Sequence, residues 1–261
     1  MNDIFIGTSG YYYPGWKSIF YPKECNGADF LHYYSRKFNF VEINSSFYRP
    51  VTRKQLEKMT KQVPEHFLFT LKAHKSLTHE RVAPERSAEE LIENTAPLKE
   101  TGHLGGYLIQ FPYSFHRTHA NRIYLDRVCR LFEGLPVFIE FRHREWITSK
   151  VMTEITERGI TPVTTDLPHL RNLPENSGLQ QGKSGIYLRF HGRNRDLWWT
   201  GDNTSRYDYT YSREEMIERV KDILPLKKSK KLIFIAFNNH YKGQAVKNAM
   251  EVKEIIGKDS E

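Results

Sequence analysis

Glu42 and Asn44 close an otherwise apolar run, "FVEIN", and the same arrangement returns along the chain. "FLFTLKAH" carries Thr70, Lys72 and His74, "GYLIQF" carries Gln110, and "VFIEFR" carries Glu140 and Arg142. "TPVTTD" holds Thr164 and Asp166, "IYLRFHG" holds Arg189 and His191, and "LIFIAFNNH" holds Asn238 and His240. In an extended chain residues two apart share a face. The positions between are mostly apolar: Val41, Ile43, Leu71, Ile139, Phe141, Leu188, Phe190 and Phe237. A fold needing only stability could fill the polar face with Val and Leu.

The chemistry open to this set follows from its types. Lys72, Arg142 and Arg189 can hold a phosphate or carboxylate, arginine through a fork of paired donors. Glu140, Asp166 and His191 are the acid–base candidates; adjacent cations lower a carboxyl pKa and burial raises it. Glu42, Glu140, Asp166, His74 and His191 are also metal-ligand types, with Glu140, Asp166 and His191 foremost. The neighbouring lysine and arginines already compensate those carboxylates, so a divalent metal is weighed below an anion. Lys72 offers another route, an imine with a carbonyl substrate, if its pKa is depressed. The bland reading is that the acids only neutralise the bases, since buried charges must be paired.

The elements that would position these residues alternate from end to end. Strands are expected at 4–8, 40–44, 67–73, 106–111, 137–142, 161–166, 186–192 and 232–239, with helix signals between most of them. Thr52 with Gln55, Ser87 with Glu90 and Ser212 with Glu215 read as capping boxes. Ala245, Ala249, Val252 and Ile256 mark one face of a last helix, and Gly159 and Gly257 read as helix stops. Eight strands with crossover helices in 261 residues imply a single α/β domain, residues 1–261, closed as a (β/α)8 TIM-like barrel. The open doubly wound sheet is disfavoured because "GTSGYYYPGW", after the first strand, lacks GxGxxG. In such barrels the site lies at the C-terminal mouth, and a phosphate often sits after strands seven and eight. That places anion contacts around Gly192–Arg193 and Asn238–Gly243.

Composition fits a folded chain: 39% hydrophobic, 13% aromatic and 27% charged. The net charge of +8 suits an anionic small molecule or nucleic acid, though solubility alone accounts for it. Cys25 and Cys129 form no CxxC pair, and neither a signal peptide nor a membrane-length apolar run is evident. A cytoplasmic protein with no membrane partner is expected. The loop 193–211 interleaves Arg193, Arg195 and Arg206 with Trp198, Trp199, Tyr207, Tyr209 and Tyr211. It reads as a lid in preference to a base-stacking surface. "HRTH" at 116–119 has weak metal spacing in a loop and is discounted, and "KKSKK" at 227–231 reads as a solvated face below the barrel. Ser9 in "GTSG" is a turn or ligand hydrogen-bonder and not a GxSxG nucleophile.

The motifs "GTSGYYYPGW", "VEINSSFYRP", "FLFTLKAHKSLTH", "YLIQFP", "VFIEFRHREW", "IYLRFHGR" and "FNNHYKGQAVKNA" occur in the order seen in the YecE-like proteins, domain-of-unknown-function family 72. The resemblance spans nearly the whole chain and implies a barrel-type α/β fold. Tyr11 stands where that family commonly shows Trp, which keeps an aromatic in place. The expectation from the residues is an enzyme acting on an anionic, phosphorylated substrate, with phosphoester hydrolysis as the reaction. Glu140, Asp166, His191 and Lys72 would be catalytic. Ser9, Tyr11, Glu42, Asn44, His74, Gln110, Arg142, Arg189, Gly192, Arg193, Asn238 and Asn239 would contact substrate. The alternatives are a non-catalytic nucleic-acid or phosphate binder and a Lys72-dependent lyase or isomerase.

Overall fold

The computed structural model describes residues 4–27, 29–175, 178–202, 204–228 and 231–258. Eight parallel strands close in sequential order: β1 (Ile4–Ser9), β2 (Phe40–Ile43), β3 (Leu68–Lys72), β4 (Leu104–Gln110), β5 (Val137–Glu140), β6 (Thr161–Asp166), β7 (Ile186–Phe190) and β8 (Ile233–Phe237). Each expected strand is present, trimmed or extended by a few residues at its ends. The connecting helices are α1 (Phe30–Ser35), α2 (Arg53–Thr60), α3 (Lys75–Thr78), α4 (Pro84–Asn94), α5 (Ala96–Glu100), α6 (His119–Leu131), α7 (Ser149–Glu157), α8 (Arg213–Lys221) and α9 (Gln244–Lys258). The β6–β7 connection departs from the repeat: its described residues hold no helix. Its "NLPENSGLQQGKSG" run is dense in breakers, which removes the periodic apolar face a helix needs.

Local signals set the helix starts. Thr52 and Ser212 make full capping boxes with Gln55 and Glu215, worth about 1 kcal/mol each. Ser87 does not cap: α4 begins three residues earlier, with Pro84 at its first position, where a missing N–H costs nothing. The Ser87 hydroxyl instead meets Ser76 Oγ at 2.6 Å. On α9, Ala245, Ala249, Val252 and Ile256 are buried as their spacing requires, and the helix packs on β1, β8 and α8. Cys25 and Cys129 are both buried free thiols.

Two apolar layers result. Inside the barrel lie Phe40, Leu108, Phe138, Val163, Tyr187, Phe234 and Ala236; between sheet and helices lies the larger shell. Gly7 lets β1 approach β2, because a Cβ there would lie 2.0 Å from the Phe40 carbonyl oxygen. The aromatic surplus is used above the sheet as well. Phe111, Phe115, Phe141 and Trp146 form a continuous stack, with Phe111–Phe115 at 4.2 Å and Phe115–Trp146 at 5.1 Å, joining the loops after β4 and β5. Among the described residues, no helix is long and apolar enough to cross a membrane.

Candidate functional site

Alternation fixes what lies above the inner apolar layer. Two residues beyond Phe40, Phe138 and Tyr187 come Glu42, Glu140 and Arg189, all essentially without solvent exposure. Arg189 spreads its fork across the barrel, with Nη2 2.5 Å from Glu42 Oε1 and Nη1 2.5 Å from Glu140 Oε2. Tyr187 donates to the other Glu42 oxygen at 2.7 Å, and Thr70 meets the Tyr187 hydroxyl at 2.9 Å. Ser9 Oγ accepts from Arg189 Nη2 at 3.4 Å. One turn of the alternation higher, Arg142 Nε donates to Glu140 Oε1, and buried His191 lies 3.4 Å from that same oxygen. Asn238 supports the His191 ring at 3.0 Å from Nδ1.

Electrostatics make this plug self-consistent. Burial alone would raise the Glu140 carboxyl, but Arg142 and Arg189 outweigh it and hold it well below the usual range. Burial disfavours charge on Arg189, and Glu140 and Glu42 more than restore it. Burial and then Arg142 push His191 down to about 3 despite Glu140, so the imidazole is neutral. Two carboxylates thus face two guanidiniums, with no net charge left over.

Lys72 is the exception. It has no carboxylate within ion-pair distance among the described residues, and its Nζ lies over the Phe47 ring, 4.2 Å from the centroid. Burial, then Arg189 and Arg142, lower its pKa to about 7 against the pull of Glu140 and Glu42. His79 packs edge-on to the same Phe47 ring at 4.8 Å and is itself lowered to about 4, by burial and then by Lys72. His79 and Phe47 escape the strand-parity reasoning because both lie in βα loops, where no periodicity operates. The opposite wall is aromatic. Tyr13 stacks on His240 at 4.2 Å, and Tyr207, from the 193–211 loop, approaches His240 at 5.5 Å and His191 at 6.3 Å.

Not every expected residue joins this group. Val163 and Thr165 take the inward positions of β6, so Thr164 and Asp166 face outward. Asp166 there receives Arg193 Nε and Nη2 at 2.8 and 2.7 Å, Arg219 Nε at 3.0 Å and the Tyr211 hydroxyl at 2.8 Å. It is an outer clamp tying the 193–211 loop and α8 to the barrel. Glu140, Asp166 and His191 are therefore not one metal-ligand trio. Arg193 also meets Glu215 at 2.7 Å, which commits it away from an anion in the mouth.

Gly192 bends the chain at φ +86°, and its N–H donates to the Tyr211 hydroxyl. A Cβ at Gly192 would lie 2.8 Å from Tyr209 Cβ. Asn239 faces outward too, donating to the Tyr209 carbonyl and Asn248 Oδ1. His74 caps α3 through Ser76 and lines a cleft with Ser46, Arg86, Ser87 and Glu90 that includes none of the ion plug. Gln110 donates to the Phe111 carbonyl, Tyr11 packs beside Tyr34, and Asn44 leaves a buried Oδ1 unpartnered.

The loop 193–211 folds over the rim. Trp198 is buried with Leu167 and Leu173 and lies 5.9 Å from the Arg142 guanidinium, while Trp199 meets Tyr113 edge-on. Trp198 thus packs into the rim, while Trp199 stays half-exposed.

The mouth of this closed parallel barrel thus carries a buried carboxylate–guanidinium plug with Lys72 beside it. The chain belongs to the family described as "Protein of unknown function DUF72", whose model matches residues 5–261; YecE-like is another label for it. It is 30% identical to the UPF0759 protein YunF of Bacillus subtilis, over 97% of this chain and 94% of that one. A DUF72 crystal structure from Thermotoga maritima superposes with a TM-score of 0.88 at 32% identity, covering 97% of this chain and 99% of that one. A second, from Enterococcus faecalis, gives 0.85 at 24% identity over 97% and 95%, a likeness of fold.

Proposed function

We propose that the protein is an enzyme acting on a small anionic carbonyl compound at the barrel mouth, with the Lys72 amine as its reactive group. The observation that carries this reading is the unpaired state of Lys72 beside a plug already neutral without it. With its pKa lowered to about 7 the Lys72 amine is unprotonated in part near neutrality, and desolvation beside other cations is how a lysine becomes a nucleophile. Lys72 Nζ would form the C–N bond to the carbonyl carbon, and the carbonyl oxygen would leave as water after taking up two protons. One of these comes from the amine and one from solvent, giving an iminium cation. The substrate's own anionic group, held by the Arg142 guanidinium, would sit beside that cation. The iminium then draws electrons from the adjacent carbon, as a lyase or isomerase needs.

Phosphoester hydrolysis, expected from the sequence, has less support. Asp166 lies outside the mouth, Glu140 has both oxygens on arginine, and His191 is too weakly basic to hold a proton near neutrality. A nucleic-acid surface has less support too, since Trp198 of the arginine–aromatic loop is buried.

The test is reductive trapping. The protein is incubated with glyoxylate and borohydride at pH 7.5 and the modified lysines are mapped by mass spectrometry. The expected result is saturable modification of Lys72 ahead of all other lysines, and none at that position in Lys72→Met. Even labelling across the surface lysines, with Lys72 spared, overturns the reading.

A further inference from the structure

His116, His143 and Glu145 come together on the rim although they derive from different βα loops, after β4 and after β5. The aromatic stack described above places all three. His116 follows Phe115, Glu145 precedes Trp146, and His143 lies two residues past Phe141. Trp146 Nε1 donates to the Phe115 carbonyl at 2.5 Å, which ties the two loops directly. His143 is buried under Tyr113, whose ring centroid lies 5.0 Å away, and Glu145 Oε2 is fixed by the Arg117 N–H at 3.1 Å.

The donor atoms converge on Glu145, and His143 Nδ1 also accepts the Glu145 backbone N–H at a long 3.4 Å. Glu145 Oε2 lies 3.5 Å from His143 Nδ1 and 3.7 Å from His116 Nδ1, and the three ligand atoms all lie within 4.8 Å of each other. Both separations are longer than a hydrogen bond. They are close to the spacing of about 3.4 Å that bonds of about 2.0–2.1 Å impose around a tetrahedral zinc ion. The positive group beside them, Arg144, turns toward Glu175 at 3.7 Å. His116 and Glu145 are half-exposed, which leaves an approach from solvent for the ion and for a fourth ligand.

We propose that His116, His143 and Glu145 form a binding site for a divalent transition metal, with Zn²⁺ the ion that two imidazoles and one carboxylate fit best. None of its three ligands belongs to the ion plug or is ion-paired with Lys72, so the site does not depend on the reaction assigned to the mouth. Three protein ligands with a side open to water is the composition of a site that can bind or polarise a further oxygen ligand.

The full-length protein, stripped with a chelator, is titrated with Zn²⁺ by calorimetry and with Co²⁺ by visible absorption. One equivalent is expected per chain, with the d–d absorption of four-coordinate Co²⁺. His116→Ala and Glu145→Gln alter half-exposed side chains, and circular dichroism checks that each variant folds. Each is expected to weaken Zn²⁺ by at least about tenfold, while Lys72→Met leaves it unchanged. Failure to bind one equivalent, or equal affinity in wild type and both folded rim variants, overturns the assignment.

Discussion

Arg189→Met isolates the energetics of the plug. The substitution keeps much of the side-chain volume and removes a group that touches both Glu42 and Glu140, each without solvent exposure. Glu140 retains Arg142 and Glu42 retains the Tyr187 hydroxyl, so neither is left bare. Removing one partner of a buried ion pair costs about 3–5 kcal/mol. At about 2–4 °C per kcal/mol for a chain of this size, the midpoint should fall by about 6–20 °C.

The loss carries a pH signature. The wild-type Glu140 carboxyl is depressed below its unfolded value, so its stabilisation is present above the unfolded pKa and disappears as pH falls through the folded one. In the variant the depression is smaller and less is lost on acidification. The two stability curves should therefore converge below about pH 4.5, near the unfolded glutamate pKa. Urea denaturation followed by circular dichroism at pH 8, 6 and 4 measures the difference. A cost below about 1 kcal/mol at pH 8, or one that does not shrink toward pH 4, would refute the account of a buried, mutually compensated plug.

Two other outcomes follow from the same geometry. Acylation of Lys72 by an amine-directed reagent should rise through a midpoint near pH 7, because the lowered pKa frees the amine above that value; a midpoint near 10 in peptide-mapped labelling contradicts it. Asp166→Asn removes the carboxylate shared by Arg193, Arg219 and Tyr211, and limited proteolysis should then cut within 193–211 at least several-fold faster with the barrel still folded; unchanged cleavage there rejects the clamp.

The barrel was legible because most strands carry a one-parity polar face above an apolar one. "VFIEFR" and "IYLRFHG" leave no choice: placing Phe138 and Tyr187 inside places Glu140 and Arg189 above them. "TPVTTD" fails for a physical reason. Threonine is tolerated on either face of a strand, so Thr164 and Thr165 do not reveal which way Asp166 turns. Only the register, with Val163 in the inner layer, decides it. Ser87 misleads because a proline nearer the start outweighs a capping pattern. The pairing of His116 with His143 and Glu145 was out of reach, since loops carry no period and the contact depends on how aromatic rings stack between them.

Arg189 joins β7 to β2 and β5, and none of these three strands is a neighbour of another in the sheet. An arc of strands halted before the ring is complete, or joined one residue out of step, would strand naked charges in oil with no counterion in reach. The guanidinium thus acts as a keystone: it penalises half-built cylinders more heavily than it rewards the finished one, and so makes ring closure an all-or-nothing event.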